Sequence, residues 1–176
     1  LELNKIFDDT IRPNTHKSSF SIEGHAFDLT HIRLYSGDPL QHAVHFCAHN
    51  RDVQSEALYK HVAHLKQKLD DGNGGHFVYM AYVASPYLDQ RVNAERTGFT
   101  LPLDGELPQP SEITESALLK STVEQVKTEL AVFLDAILDD AKARVAHLVT
   151  TKYPEYRPIL DRLVDYIDEL PVADDE

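Results

Sequence analysis

Tryptophan is absent from this 176-residue chain, which also holds a single cysteine and a single methionine. One thiol, Cys47, can build neither a disulfide framework nor a thiolate zinc site, and it suits a reducing compartment, so a cytoplasmic protein is expected. No run of about 18 apolar residues occurs, so no helical membrane span is expected. The start, Leu1-Glu2-Leu3-Asn4-Lys5, has neither the basic region nor the apolar stretch of an export signal. An initiator Met is missing too, as expected of a piece cut from a longer protein. Basic residues are scarce, with 17 Lys+Arg against 29 Asp+Glu and a net charge of -12. Without a basic stripe, direct gripping of a nucleic-acid backbone is not expected. Neither a GxGxxG nor a GxxxxGK motif is present, so the chain has no nucleotide-cradling loop of its own.

What the chain does have is enough apolar material for a core, 42% hydrophobic residues beside 26% charged ones. The charge is unevenly spread. Through Thr100 there are 10 Lys+Arg against 12 Asp+Glu, and from Leu101 onward 7 against 17. Pro102, Gly105, Pro108 and Pro110 mark the change. The expected organisation is therefore an α/β domain over 1–101, a linker over 102–111, a helical extension over 112–170 and an acidic tail over 171–176.

In the first part, Ser19 to Leu29 and Thr30 to Tyr35 read as β-type segments, followed by the turn Ser36-Gly37-Asp38-Pro39. In His42 to His49 the period of two places Val44, Phe46 and Ala48 on one face and His45, Cys47 and His49 on the other. From Ser55 to Leu69 the apolar positions Ala57, Leu58, Val62, Leu65 and Leu69 recur at helical spacing, and Asp70 to Gly75 would stop that helix. A continuous apolar strand follows over Phe77 to Ala84. Strand, helix and strand make a βαβ unit, and its helix must cover one face of the sheet in a two-layer α/β domain. Beyond an N-cap at Ser111, a seam of Leu119, Val123, Val126, Leu130, Phe133, Ile137, Ala141, Val145 and Leu148 predicts one long helix ending before Pro154. Ile159, Leu160, Leu163, Tyr166, Ile167 and Leu170 predict a short amphipathic one before Pro171. A narrow seam on a long helix wants a partner surface, either the α/β domain or a second copy; a homodimer is the expectation, because the linker before the helix lets it swing clear.

Candidate chemistry is thin. His42/His45 and His61/His64 invite a metal reading, but no HExxH or CxxC completes a ligand set, and no metal site is expected from them. Cys47 has His45 and His49 two residues away on either side, about 6.5 to 7 Å along a strand and too far for a base, so a small buried hydrophobe is the better reading. Gly72-Asn73-Gly74-Gly75 precedes a strand and reads as a helix stop rather than a phosphate cradle.

Two motifs carry a resemblance. Phe46-Cys47-Ala48-His49-Asn50-Arg51-Asp52-Val53 is similar to the strand ending in Asn-x-Arg-x-Val of the mismatch-repair ATPases. Val92-Asn93-Ala94-Glu95-Arg96 resembles the Leu-Asn-x-Ser-Arg loop of the heat-shock-protein-ninety chaperones and the Val-His-Pro-x-Lys loop of the mismatch-repair proteins. Over residues 19–101 the order of elements resembles the transducer, or middle, domain of the GHKL ATPases, which include those two families and the gyrase B subunit. Glu95 stands where the chaperones have Ser, and the mismatch-repair Pro is absent.

The resemblance implies a ribosomal-protein S-five second-domain-like fold with a left-handed βαβ crossover, against the usual right-handed rule. It implies that Arg96 contacts the γ-phosphate of ATP, with Asn93 beside it. The ATP and Mg²⁺ would be held mainly by an N-terminal ATPase domain in cis, outside this chain. This chain alone would then have no activity, and it would relay nucleotide state to its helical region. The alternative reading is a stand-alone α/β interaction domain that dimerises through its long helix.

Overall fold

The computed structural model describes residues 14–35, 40–62, 64–102 and 111–159. Strands β1 (Thr15–Ile22), β2 (His25–Leu34), β3 (Ala43–Ala48), β4 (Arg51–Ala57), β5 (Leu69–Asp70) and β6 (His76–Ala84) form a mixed sheet. Its order is β1-β2-β6-β3-β4, with β5 pairing β6. All pairings are antiparallel except β3 with β6. The chain is thus mixed α/β. Two tight hairpins set the register. Glu23 and Gly24, with φ of 48° and 81°, join β1 to β2, and His49 and Asn50, with φ of 50° and 61°, join β3 to β4. Two consecutive left-handed residues suit the right-handed twist of the strands they connect. The first turn falls inside the segment that sequence pattern reads as β-type over Ser19 to Leu29, because a lone Gly24 is a weak turn signal.

The expected crossover helix over Ser55 to Leu69 is not formed. Ser55, Glu56 and Ala57 belong to β4 and pair with His45, Val44 and Ala43. A single 3-10 turn, Leu58–Lys60, follows, and irregular chain leads to β5. The apolar positions were nevertheless core, since Leu58, Val62, Leu65 and Leu69 are all buried. Helical spacing reported burial and not conformation, because pairing with β3 outweighs a weak local propensity. Buried His42 replaces part of the missing helical hydrogen bonding. Its Nε2 donates to Gln67 O at 2.8 Å, and its Nδ1 accepts from Tyr79 N at 2.9 Å. One neutral imidazole therefore satisfies a loop carbonyl and a strand amide, and burial pushes its pKa below the ordinary value.

Beyond β6, Ser85 caps the short helix α1 (Pro86–Asp89): its Oγ accepts from Tyr87 N and donates to Ala26 O. The long helix α2 runs over Glu115–Thr151, about 55 Å. Thr114 rather than Ser111 is its cap, accepting from Ala117 N at 3.2 Å. Leu118, Val123, Val126, Leu130 and Leu134 join Phe27, Leu29, Val44, Phe46, Phe77 and Tyr79 in a single buried cluster. Phe133 meets Phe77 edge-on at 5.1 Å. The face carrying Val44 and Phe46 is thus the one α2 covers. Of the predicted seam, Val123, Val126 and Leu130 are buried and Leu119, Phe133 and Ile137 half-buried, all in cis. Beyond Leu134 the only buried residue of α2 is Val149, beside the 3-10 segment Pro154–Ile159. The predicted short helix lies, after Ile159, outside the described residues.

Candidate functional site

The segment between α1 and α2 is a small hairpin. Val92 bridges Phe99, Asn93 N donates to Gly98 O at 3.0 Å, and Thr100 N donates to Arg91 O at 2.7 Å. Asn93 closes its tip with backbone and side chain together. Its carbonyl accepts from Arg96 N, its Oδ1 accepts from Thr97 N at 2.9 Å, and its Nδ2 donates to Thr97 Oγ1 at 3.2 Å. This side chain is spent on shape. Arg96 sits at the turn with a left-handed φ of 57°. It is exposed, and its guanidinium makes no hydrogen bond or ion pair to any of the described residues. Sequence reasoning named both residues; the structure separates them into one that fixes the loop and one that projects from it.

The hairpin's base is tied to the start of α2 by two routes. Arg91 stacks its guanidinium 3.7 Å from the centre of the Tyr87 ring. The Tyr87 hydroxyl accepts from Ile113 N at 2.8 Å, two residues before the helix begins. On the other side Phe99 and Leu101 pack against the core beside Phe46, Leu118 and Leu119. The open side of Gly98 faces Gln54 of β4, whose Nε2 donates to Glu115 Oε1 in the first turn of α2. Tyr87 and Gln54 thus link the hairpin's surroundings to the segment where α2 begins.

The other candidates resolve into structural roles. Cys47 is half-buried, its thiol donates weakly to His45 O at 3.9 Å, and burial pushes its pKa up to about 11, so it is not a thiolate nucleophile. His45 stacks on Tyr82 and bonds Asp52 Oδ2 at 2.6 Å. His61 pairs with Glu56 at 3.2 Å, and Lys60 binds the same carboxylate, holding Glu56 below the usual carboxylate range. His61 and His64 make no metal cluster among the described residues; a different set, His16, His31 and Glu129, does converge. Asp71 accepts from Asn73 N and Gly75 N, so Gly72 to Gly75 is a turn before β6 and not a phosphate cradle.

No family model matches the chain, and comparisons with curated proteins and with solved structures find no match. Among the described residues, no helix is long and apolar enough to cross a membrane.

Proposed function

We propose that this chain is the transducer domain of a GHKL-type, chaperone-like ATPase, with an S-five second-domain-like sheet whose crossover lacks its helix. The observation that carries this reading is the exposed Arg96 guanidinium, without a partner among the described residues, at the tip of a hairpin whose base lies beside the start of α2. A guanidinium is always charged and binds phosphate oxygens as a fork. With no carboxylate bonded to it among the described residues, Arg96 is free to meet the γ-phosphate of ATP, which an N-terminal domain in cis would hold with Mg²⁺. ATP supplies the phosphoryl group and the charge that draws the loop in. Arg96 offsets the charge on the transferring group. Asn93 keeps the tip in shape, and Tyr87, Phe99 and Gln54 hand its position to α2. Loss of the γ-phosphate releases the loop, and the helix base follows.

Steady-state ATP hydrolysis by the intact protein tests this. Arg96→Ala is expected to lower kcat at least ~tenfold with ATP affinity nearly unchanged, since the contact strengthens as charge redistributes. Arg96→Lys should restore part of the rate, keeping the charge without the fork. Hydrolysis by Arg96→Ala at the parental rate would sink the γ-phosphate role. Arg91 is no neutral comparison, because its cation lies over Tyr87.

A second reading, an interaction domain that dimerises through α2, draws on the thinly covered half of that helix, where Leu148 is exposed. It needs no Arg96 chemistry and predicts association in solution.

A further inference from the structure

On the face of the sheet that α2 covers, well away in sequence from the hairpin, His16 of β1 and His31 of β2 are direct cross-strand partners. Their rings stack with centroids 5.4 Å apart. Glu129 comes down on them from α2, its Oε2 3.3 Å from His16 Nδ1. One ligand atom from each of the three residues falls within 4.8 Å of the others. We propose that His16, His31 and Glu129 form a binding site for a divalent transition ion, Zn²⁺ above all, with water as the fourth ligand.

The donor set argues for the ion. Two imidazoles and one carboxylate suit a borderline cation such as Zn²⁺, whereas Ca²⁺ and Mg²⁺ take oxygen ligands. Ligands of a tetrahedral ion at about 2.1 Å lie about 3.4 Å from one another, and the His16–Glu129 pair already has that spacing. The two distances to His31 are no more than 4.8 Å, so each closes with a shift of at most about 1.4 Å. His16 is exposed, and Glu129, though half-buried and paired with Arg33, is a long side chain with rotatable bonds, so both can move. His31 cannot, and it is already oriented: it is buried, with Nδ1 bonded to the Tyr79 hydroxyl at 2.5 Å, the kind of outer partner that fixes a ligating ring. Its Nε2, now 2.7 Å from Ser18 Oγ, would turn that hydroxyl aside to meet the ion.

Arg33 is the competitor. Its Nη2 lies 3.6 Å from Glu129 Oε1, and it holds the carboxylate's charge when no ion is bound. It also lies 4.9 Å from the centre of the Phe133 ring and 5.6 Å from that of Phe77, so it keeps favourable company when the ion takes Glu129. Bound metal would fasten an edge strand, its neighbour and the long helix at one point, and this inference does not depend on the role of Arg96.

Calorimetric titration of the 176-residue chain with Zn²⁺, with Co²⁺ as a spectroscopic substitute, decides the matter. The expected result is saturable one-to-one binding, the intense visible bands of tetrahedral Co²⁺ and a rise in Tm with Zn²⁺. His16→Ala and Glu129→Gln should each weaken binding at least ~tenfold, because losing even an outer partner of a ligand can cost that much. His61→Ala, outside the cluster, should leave it unchanged. The exposed His16 makes its variant safe for folding, so it alone decides if Glu129→Gln proves unstable. No saturable binding, octahedral Co²⁺ spectra, or equal affinity in His16→Ala would overturn the site and leave only adventitious binding by scattered histidines.

Discussion

His42 shows how much one residue can settle. Replacing it by Ala strands the Tyr79 amide in a buried setting and removes the partner of the part-buried Gln67 carbonyl, which is expected to cost about 1 to 3 kcal/mol. Urea denaturation at neutral pH measures this. The pH dependence has a definite sign. Burial holds the folded-state pKa of His42 below its ordinary 6.5, so the unfolded chain takes up the proton first. The contribution of His42 is full above about pH 6.5 and is lost as pH falls through the folded value. Stability should therefore decline below pH 6.5, and less steeply in His42→Ala; an unchanged slope would remove His42 from the account. Nothing in the sequence around His42 marks it, since its partners lie 25 and 37 residues away. The Arg96 turn stood out in the sequence for the opposite reason, because a locally determined turn carries its own motif. Its left-handed φ, and its lack of a partner among the described residues, were visible only in three dimensions.

At the scale of elements, α2 has a deeply packed stretch through Leu134 and a thinly covered one beyond it, and within the packed stretch it has an inner and an outer face. Leu130 is fully buried while Val132, two residues on, is 77% exposed. Leu130→Ala should cost about 2 to 5 kcal/mol by chemical denaturation, and Val132→Ala should stay within about 0.5 kcal/mol. Amide exchange should divide in the same place, slow through Leu134 and faster beyond it. Equal protection along the whole helix would refute the division. This helix was readable to within a turn because 37 residues of periodic pattern leave little ambiguity. Its packed side was read in part: Val126 and Leu130, fully buried, lie on the predicted seam, but the buried set also includes Leu118 and Leu134, each one residue from it. The expected crossover helix failed over a shorter stretch, where four buried leucines and valines at helical spacing also fit a strand end and an irregular return.

For the whole molecule, the two readings of function part on association and on nucleotide. Since Val126 and Leu130 are covered in cis, the chain is expected to sediment as a monomer across two decades of concentration. A concentration-dependent dimer would favour the interaction-domain reading. Titration of the chain alone with a non-hydrolysable ATP analogue and Mg²⁺ should show no tight binding, because it has no cradling loop. Micromolar affinity would overturn the transducer reading. The metal-type cluster escaped sequence analysis because Glu129 is about a hundred residues from both histidines, and no spacing rule spans a fold.

The thinly covered half of α2 has a mechanical consequence for the proposed transducer. There the helix would serve as a lever, its packed end beginning beside the Arg96 hairpin and its far end held by little besides Val149 and the 3-10 segment. The 17 residues past Leu134 extend about 25 Å, so a tilt of about 10° at the edge of the packed region swings their far end by about 4 Å. Tyr153 and Tyr156, half-exposed just past that end, would travel with it. A movement too small to reshape the sheet would become, at those rings, a change of position that a neighbouring surface could feel.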